Sequence, residues 1–201
     1  MTSRFVVTGT DTGIGKTVFA AALAGALGAA YWKPVQTGPD SDTDTVRRLA
    51  GGKTFPEAYR FKLPASPHYA AEAEGAVIDP AALNPPEGPL VIEGAGGLMV
   101  PLTRDTLSID VFARWGLPLI LCARTTLGTI NHSLLSIAAI RARNIPLTGV
   151  VFVGDYSEDS EATVCEMGKA RRLGRLPLLD PLTPESLRAA FAKNFSLDEF
   201  A

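Results

Sequence analysis

The run Gly9-Thr10-Asp11-Thr12-Gly13-Ile14-Gly15-Lys16-Thr17 sets glycines, hydroxyls and one lysine directly before an alanine-rich stretch. These residue types suit a phosphate group. Glycines expose backbone N–H groups, a following helix adds positive potential, Lys16 can meet the β and γ phosphates, and the Thr17 hydroxyl can ligate Mg²⁺. The strict spacing of a phosphate-binding loop asks for glycine at position 10, where the chain has threonine, so the first glycine stands one residue early. An ordinary glycine-containing turn is the plain alternative, but Gly15-Lys16-Thr17 at a strand-to-helix junction favours a nucleotide site.

A nucleotide-bound Mg²⁺ takes hard oxygen ligands and needs carboxylates beyond the loop. Glu93 closes the apolar run Leu90-Val91-Ile92 and precedes Gly94-Ala95-Gly96-Gly97, small residues that let backbone approach a ligand closely. A second acidic group, Asp40-Ser41-Asp42-Thr43-Asp44, follows Lys33-Pro34-Val35-Gln36-Thr37-Gly38 at the start of a predicted helix. One of its acids is expected to cap that helix. Asp42 is the candidate metal ligand, with Asp44 left open as the alternative. A lysine such as Lys33 is often a surface residue, but the carboxyl end of a parallel strand is where open α/β sheets bind ligands.

The elements that must hold these residues are written in the periodicity. Short apolar runs at 5–7, 31–32, 90–92, 119–121 and 149–153 alternate with helical spacing over 16–27, 43–50, 108–115, 131–143, 159–170 and 184–193. That alternation predicts an α/β fold: a doubly wound, mostly parallel sheet with helices on both faces, of the P-loop NTPase kind. Thr183-Pro184-Glu185 reads as a capped entry into the last helix. The proline-rich stretch 52–89 is expected to be an irregular excursion with short helices near 68–74 and 80–83.

With 201 residues, 46% of them hydrophobic, one domain over 1–201 with a sizeable core is expected. A 20% charged fraction and a net charge of −2 argue against a nucleic-acid partner, which needs a dense basic face. The N-terminal residues lack the apolar stretch of a signal peptide and no long apolar run occurs, so no membrane association and a cytoplasmic location are expected. Cys122 and Cys165 show no metal-ligand spacing and read as structural thiols.

Together these segments resemble the dethiobiotin synthetases, a family that closes a ureido ring at the expense of ATP. The resemblance rests on the extended loop 9–17, Lys33-Pro34-Val35-Gln36-Thr37-Gly38, Ser66-Pro67-His68, Glu93-Gly94-Ala95-Gly96-Gly97, Leu127-Gly128-Thr129-Ile130-Asn131-His132 and Gly174-Arg175-Leu176-Pro177, in family order. The displaced glycine is the family's own form of the loop. The resemblance implies that 7,8-diaminononanoate, CO₂ and ATP give dethiobiotin, ADP and phosphate, through a carbamate and a carbamic-phosphoric anhydride. It implies ATP held by Gly13, Ile14, Gly15, Lys16, Thr17, Val18, Gly94, Ala95, Gly96, Leu176 and Pro177, with Asp42 and Glu93 beside it. Thr17, Asp42 and Glu93 would gather Mg²⁺, and Lys16 and Lys33 would be catalytic. Thr12, Lys33 and Thr37 would meet the diamine. The family pattern is a homodimer with the substrate at the interface, where Leu127, Gly128 and Asn131 of the partner chain would receive the distant carboxylate. His68 and His132 are expected to be structural.

Two rivals share the fold. A partition-type ATPase switch would carry an extra lysine early in the loop, where this chain reads Gly9-Thr10-Asp11-Thr12. The nucleotide half of a glutamine-dependent amidotransferase would need a glutaminase domain, for which the length leaves no space. The chain departs from the family at Val153-Gly154-Asp155, where many members carry an Asn that reads adenine. Weak discrimination between nucleobases is therefore expected.

Overall fold

The structure is a computed structural model that describes residues 3–200. In chain order the elements are β1 (Arg4–Gly9), α1 (Lys16–Leu27), β2 (Ala30–Trp32), β3 (Val35–Thr37), α2 (Asp42–Ala50), β4 (Thr54–Phe55), β5 (Tyr59–Phe61) and α3 (Pro67–Ala73). After a 3-10 turn at Pro80–Ala82 come β6 (Leu90–Gly97), α4 (Ser108–Trp115), β7 (Leu119–Arg124), α5 (Thr129–Ala142), β8 (Leu147–Val153), α6 (Glu158–Gly168), β9 (Arg172–Leu176) and α7 (Pro184–Asn194). A second 3-10 turn, Leu197–Phe200, follows α7.

Seven strands form one sheet in the order β4-β2-β6-β1-β7-β8-β9, and every paired neighbour is parallel. The expected doubly wound sheet is thus present, with β1 and its loop near the centre. Alternation along the strands sorts side chains to two faces. Val7, Tyr31, Val91, Ile120, Cys122 and Val151 pack toward α1, α2 and α7. Val6, Trp32, Ile92, Leu121, Val150 and Phe152 pack toward α4, α5 and α6. Both faces being covered explains why these strands read as continuous apolar runs rather than alternating ones.

Helices α1 and α4 occupy the residues that periodicity marks out, and the others shift by a residue or two at their ends. Three expectations are corrected. The strand expected to stop at Ile92 runs on to Gly97, because its backbone still pairs with β1 beyond that point, Glu93 lying opposite Val7 and, past a shift in register, Gly97 opposite Gly9. Segment 52–89 holds the expected short helices, at Pro67–Ala73 and Pro80–Ala82, but is not otherwise without strands: β4 joins the sheet edge, β5 pairs with β3 in a separate parallel ribbon, and a third apolar cluster joins Val35, Phe61, Ala70, Ile78, Leu83 and Leu102. Helix α2 is capped not by an acid but by Ser41, whose Oγ accepts from the Asp44 backbone N–H at 3.1 Å. Among the described residues no helix is long and apolar enough to cross a membrane.

Candidate active site

The site forms where the strands' alternation meets the phosphate loop. In the parallel pairing of β2 with β6, Tyr31 lies opposite Val91 and Trp32 opposite Ile92. Two residues further along each chain, Lys33 and Glu93 therefore fall on the same face as Tyr31 and Val91, the face covered by α1. On the next strand Val7 lies opposite Glu93, and β1 then opens into the loop. A lysine and a glutamate that stand apart in the sequence are thus set side by side at the carboxyl end of the sheet.

Lys33 is the hub. Its Nζ donates to Glu93 Oε1 at 3.0 Å and is paired with Asp42 Oδ2 from the first residue of α2. Lys33 and Glu93 are buried, at 4% and 1% exposure, so the pairing is what makes their charges tolerable there. Burial acts to lower the Lys33 pKa, but the two carboxylates outweigh it and hold the ammonium above the ordinary lysine value. Gln36 Oε1 accepts from the Asp42 backbone N–H at 3.3 Å, tying the start of α2 to β3.

The loop supplies the opposite wall. Gly15, the residue before α1, has φ 92°, and a Cβ there would lie 2.7 Å from Val153 Cγ1, so both conformation and space require glycine. No side chain caps α1 and its first turn holds no acid, which leaves its first N–H groups free to meet an anion. The Lys16 Nζ donates to the Asp11 carbonyl oxygen at 2.7 Å, and burial lowers its pKa. Thr17 Oγ1 donates to Glu93 Oε1 at 2.9 Å. Residues 12–17 of the loop line a cleft of about 300 Å³ together with Lys33, Thr37, Asp42 and Glu93. Larger grooves, of about 620 Å³ beside α1, α2 and α7 and about 980 Å³ at the amino end of the sheet, contain neither the phosphate loop nor a lysine held between two carboxylates.

Among the described residues no group of three or more His, Cys, Asp or Glu gathers as a metal cage. The hydroxyl of Thr17 and the carboxylates of Glu93 and Asp42 form instead a sparse set of hard oxygens. That donor set fits Mg²⁺, which is usually held by one or two carboxylates and completes its shell with water and substrate phosphates.

The expected residues do not all meet in one place. Thr12, Gly13, Ile14, Gly15, Lys16, Thr17, Lys33, Thr37, Asp42, Glu93, Ala95 and Gly96 line the cleft. Gly94 does not line it, and a Cβ there would meet the Phe112 ring at 2.8 Å. Val18 packs against the apolar cluster beneath α1. Leu176, buried at the end of β9, accepts from the Gly154 N–H through its carbonyl, with Pro177 next in the chain. Leu127, Gly128 and Asn131 stand at the start of α5 and do not line the cleft of their own chain.

Two residues escaped the sequence reading. Tyr31 donates its hydroxyl to Glu93 Oε2 at 2.8 Å, and the i, i+2 relation to Lys33 is the signal that places it on this face. Burial first, and then the Glu93 carboxylate, push the Tyr31 phenol well above its usual pKa, so it stays a proton donor. Arg124, at the end of β7, donates to Asp11 Oδ2 at 3.1 Å and to the Thr12 carbonyl at 3.0 Å, bracing the extended loop. Its place at a carboxyl strand end next to β1 was the available signal.

A family model described as "AAA domain" matches residues 3–186. Among curated proteins, the chain is 61% identical to the ATP-dependent dethiobiotin synthetase of Afipia carboxidovorans, covering 100% of this chain and 99% of that protein. It is 64% identical to the ATP-dependent dethiobiotin synthetase of Rhodopseudomonas palustris strain TIE-1, covering 100% and 98%. Among solved structures, a ParA family ATPase from Chlorobium tepidum TLS superposes with a TM-score of 0.57 at 12% identity, over 96% of this chain and 91% of that one. The MinC:MinD cell division complex of Aquifex aeolicus gives 0.54 at 11%, over 94% and 86%. At such low identity these two likenesses carry the fold alone.

Proposed function

The chain belongs to the ATP-dependent dethiobiotin synthetase family, a ligase family of biotin biosynthesis acting on small molecules, and we propose that its cleft joins CO₂ to 7,8-diaminononanoate and closes the ring. The observation that carries this reading is the Lys33 ammonium, buried between Asp42 and Glu93 beside the phosphate loop. A carbamate formed from one amine and CO₂ is a poor electrophile until its oxygen is phosphorylated. In that transfer negative charge spreads over the γ-phosphoryl oxygens, so preorganised cations are the main catalytic resource.

Lys16 and the open N–H groups at the start of α1 hold the phosphates of ATP, with Val18, Leu176 and Pro177 on the nucleotide's side. Thr17, Asp42 and Glu93 hold Mg²⁺, which when bound neutralises phosphate charge. Lys33 steadies the carbamate oxygen as it attacks and the phosphoryl group as it arrives. The carbamic-phosphoric anhydride is then attacked at its carbonyl carbon by the second amine, phosphate leaves, and the five-membered ring closes. Holding the two groups together is the chief help in that step. Thr12 and Thr37 orient the diamine from the loop and from β3.

The enzyme acts as a homodimer of single-domain chains, 1–201, in the cytoplasm, and Leu127, Gly128 and Asn131 of one protomer receive the carboxylate of the substrate bound by its partner. An α5 start without an acid or a side-chain cap suits that anionic group. The test is direct: protein, diamine, bicarbonate, Mg²⁺ and ATP are incubated and the cyclic urea is sought by mass. Dethiobiotin and ADP in equal amounts are expected; ATP hydrolysis without the cyclic product would overturn the reading.

A further inference from the structure

Glu93 is a buried carboxylate whose two oxygens are treated differently. Oε1 accepts from Thr17 Oγ1 at 2.9 Å and from Lys33 Nζ at 3.0 Å. Oε2 accepts from the Tyr31 hydroxyl at 2.8 Å. The donors on Oε1 belong to the chemistry: one is the loop hydroxyl that suits a cation, the other an ammonium shared with Asp42. Either bond must loosen when ligand takes up Oε1. The donor on Oε2 has no such second duty. Tyr31 is fully buried, its ring lies in the apolar cluster under α1, and among the described residues its hydroxyl hydrogen-bonds only to Glu93.

We propose that Tyr31 is a positioning residue that keeps Glu93 turned with Oε1 toward Thr17 and the phosphate loop, so that the carboxylate is ready for Mg²⁺ when nucleotide arrives. The inference rests on Glu93 being a metal ligand, as in the proposed function. The terminal torsion of a glutamate is broad, so packing alone does not fix the plane of its carboxylate. A neutral donor on the outer oxygen fixes that plane, and with it the direction of the inner oxygen, without cancelling the negative charge that a cation needs. Hydrogen bonds to the outer oxygen of a ligating carboxylate commonly matter in this way. Among the segments that resemble the synthetases, the one nearest Tyr31 begins at Lys33, and none includes Tyr31.

Tyr31→Phe keeps the ring and its packing and removes only the hydroxyl. Mn²⁺ binding to the complex of the intact protein with β,γ-imido-ATP, followed by electron paramagnetic resonance, reads the effect without turnover. Tyr31→Phe is expected to weaken Mn²⁺ binding by about ten- to a hundredfold. Nucleotide binding without metal should stay within about twofold of wild type, the differential that marks an effect confined to the metal. A lowered melting temperature with unchanged Mn²⁺ affinity would reduce Tyr31 to a packing role and overturn the inference. Glu93→Gln separates the two levels. If it loses Mn²⁺ binding while Tyr31→Phe does not, only this inference fails; if Glu93→Gln also binds Mn²⁺ normally, the metal assignment itself fails. Should Tyr31→Phe not fold, the crystal structure of the wild-type complex with Mn²⁺ and β,γ-imido-ATP decides. A Tyr31 hydroxyl still bonded to Glu93 Oε2 supports the inference, and one that has left it overturns it.

Discussion

Helices α1 and α5 begin differently from α2 and α7. Glycines with positive φ, Gly15 at 92° and Gly128 at 96°, precede α1 and α5; neither start has a side-chain cap or an acid in its first turn. Helix α2 starts with Ser41 as cap and carries Asp42 and Asp44, while α7 starts with Thr183, whose Oγ1 accepts from the Ser186 N–H at 3.1 Å, and carries Glu185. The second pair satisfies its own amide groups and complements its own dipole. The first pair leaves both tasks to something outside the helix. Uncapped starts on the two longest helices, beside the loop and at the proposed interface, are what a site built for two anions would need: the phosphates of ATP at α1 and a carboxylate at α5.

The contrast is broken most severely at the open start of α1. Lys16→Ala should lower turnover about a thousandfold, since a preorganised cation at the transferring group is worth that much. Lys33→Gln should cost about a hundredfold in kcat while KM for ATP moves far less, because Lys33 acts on the reacting oxygens rather than on nucleotide binding. Steady-state rates of both variants, taken well below their melting temperatures, check the pair. A Lys33 variant with normal kcat and a raised KM for ATP would contradict the role assigned here.

A smaller effect is expected at the base end of the nucleotide. Val153 presses against Gly15, and the Gly154 N–H is taken by the Leu176 carbonyl, so no side-chain amide stands at the end of β8 to read a base. CTP, GTP and UTP should support the reaction within about tenfold of ATP in kcat/KM, a gap of about 1.4 kcal/mol. A thousandfold preference for ATP would show that another group, such as Asp155, reads the base.

The smallest effect belongs to a capped start. Thr183→Ala should destabilise the protein by about 1 kcal/mol and leave kcat and KM unchanged. Chemical denaturation beside a rate measurement checks it, and a change in KM would join α7 to the site.

The same contrast marks what was legible in the sequence. Helix α1 and the loop before it were readable because the glycines, Lys16 and Thr17 lie together in the chain and the helix has an unbroken apolar run. Strands β3, β4 and β5, of two or three residues each, were not, since such lengths show no periodicity and exist only through pairing with distant partners. The end of β6 was hidden because glycines carry no hydropathy signal, although Gly97 still pairs with Gly9 beyond a shift in register. Lys33, Asp42 and Glu93 were found as types at strand and helix ends, but their convergence on one ammonium was not visible. Tyr31 was missed because its partner lies 62 residues away and its own neighbourhood is apolar.

The claim that the open starts of α1 and α5 serve one composite site has a direct test in subunit mixing. Lys16→Ala and Asn131→Ala are each expected to inactivate the enzyme, by lesions at the two ends of a site shared across the dimer. After equal mixing and demonstrated exchange, half of the dimers are mixed and each holds one site with no lesion, so activity should return to about a quarter of the wild-type value. No recovery after demonstrated exchange would mean that Asn131 serves its own chain or only packing, and that α5 has no part in the partner's chemistry.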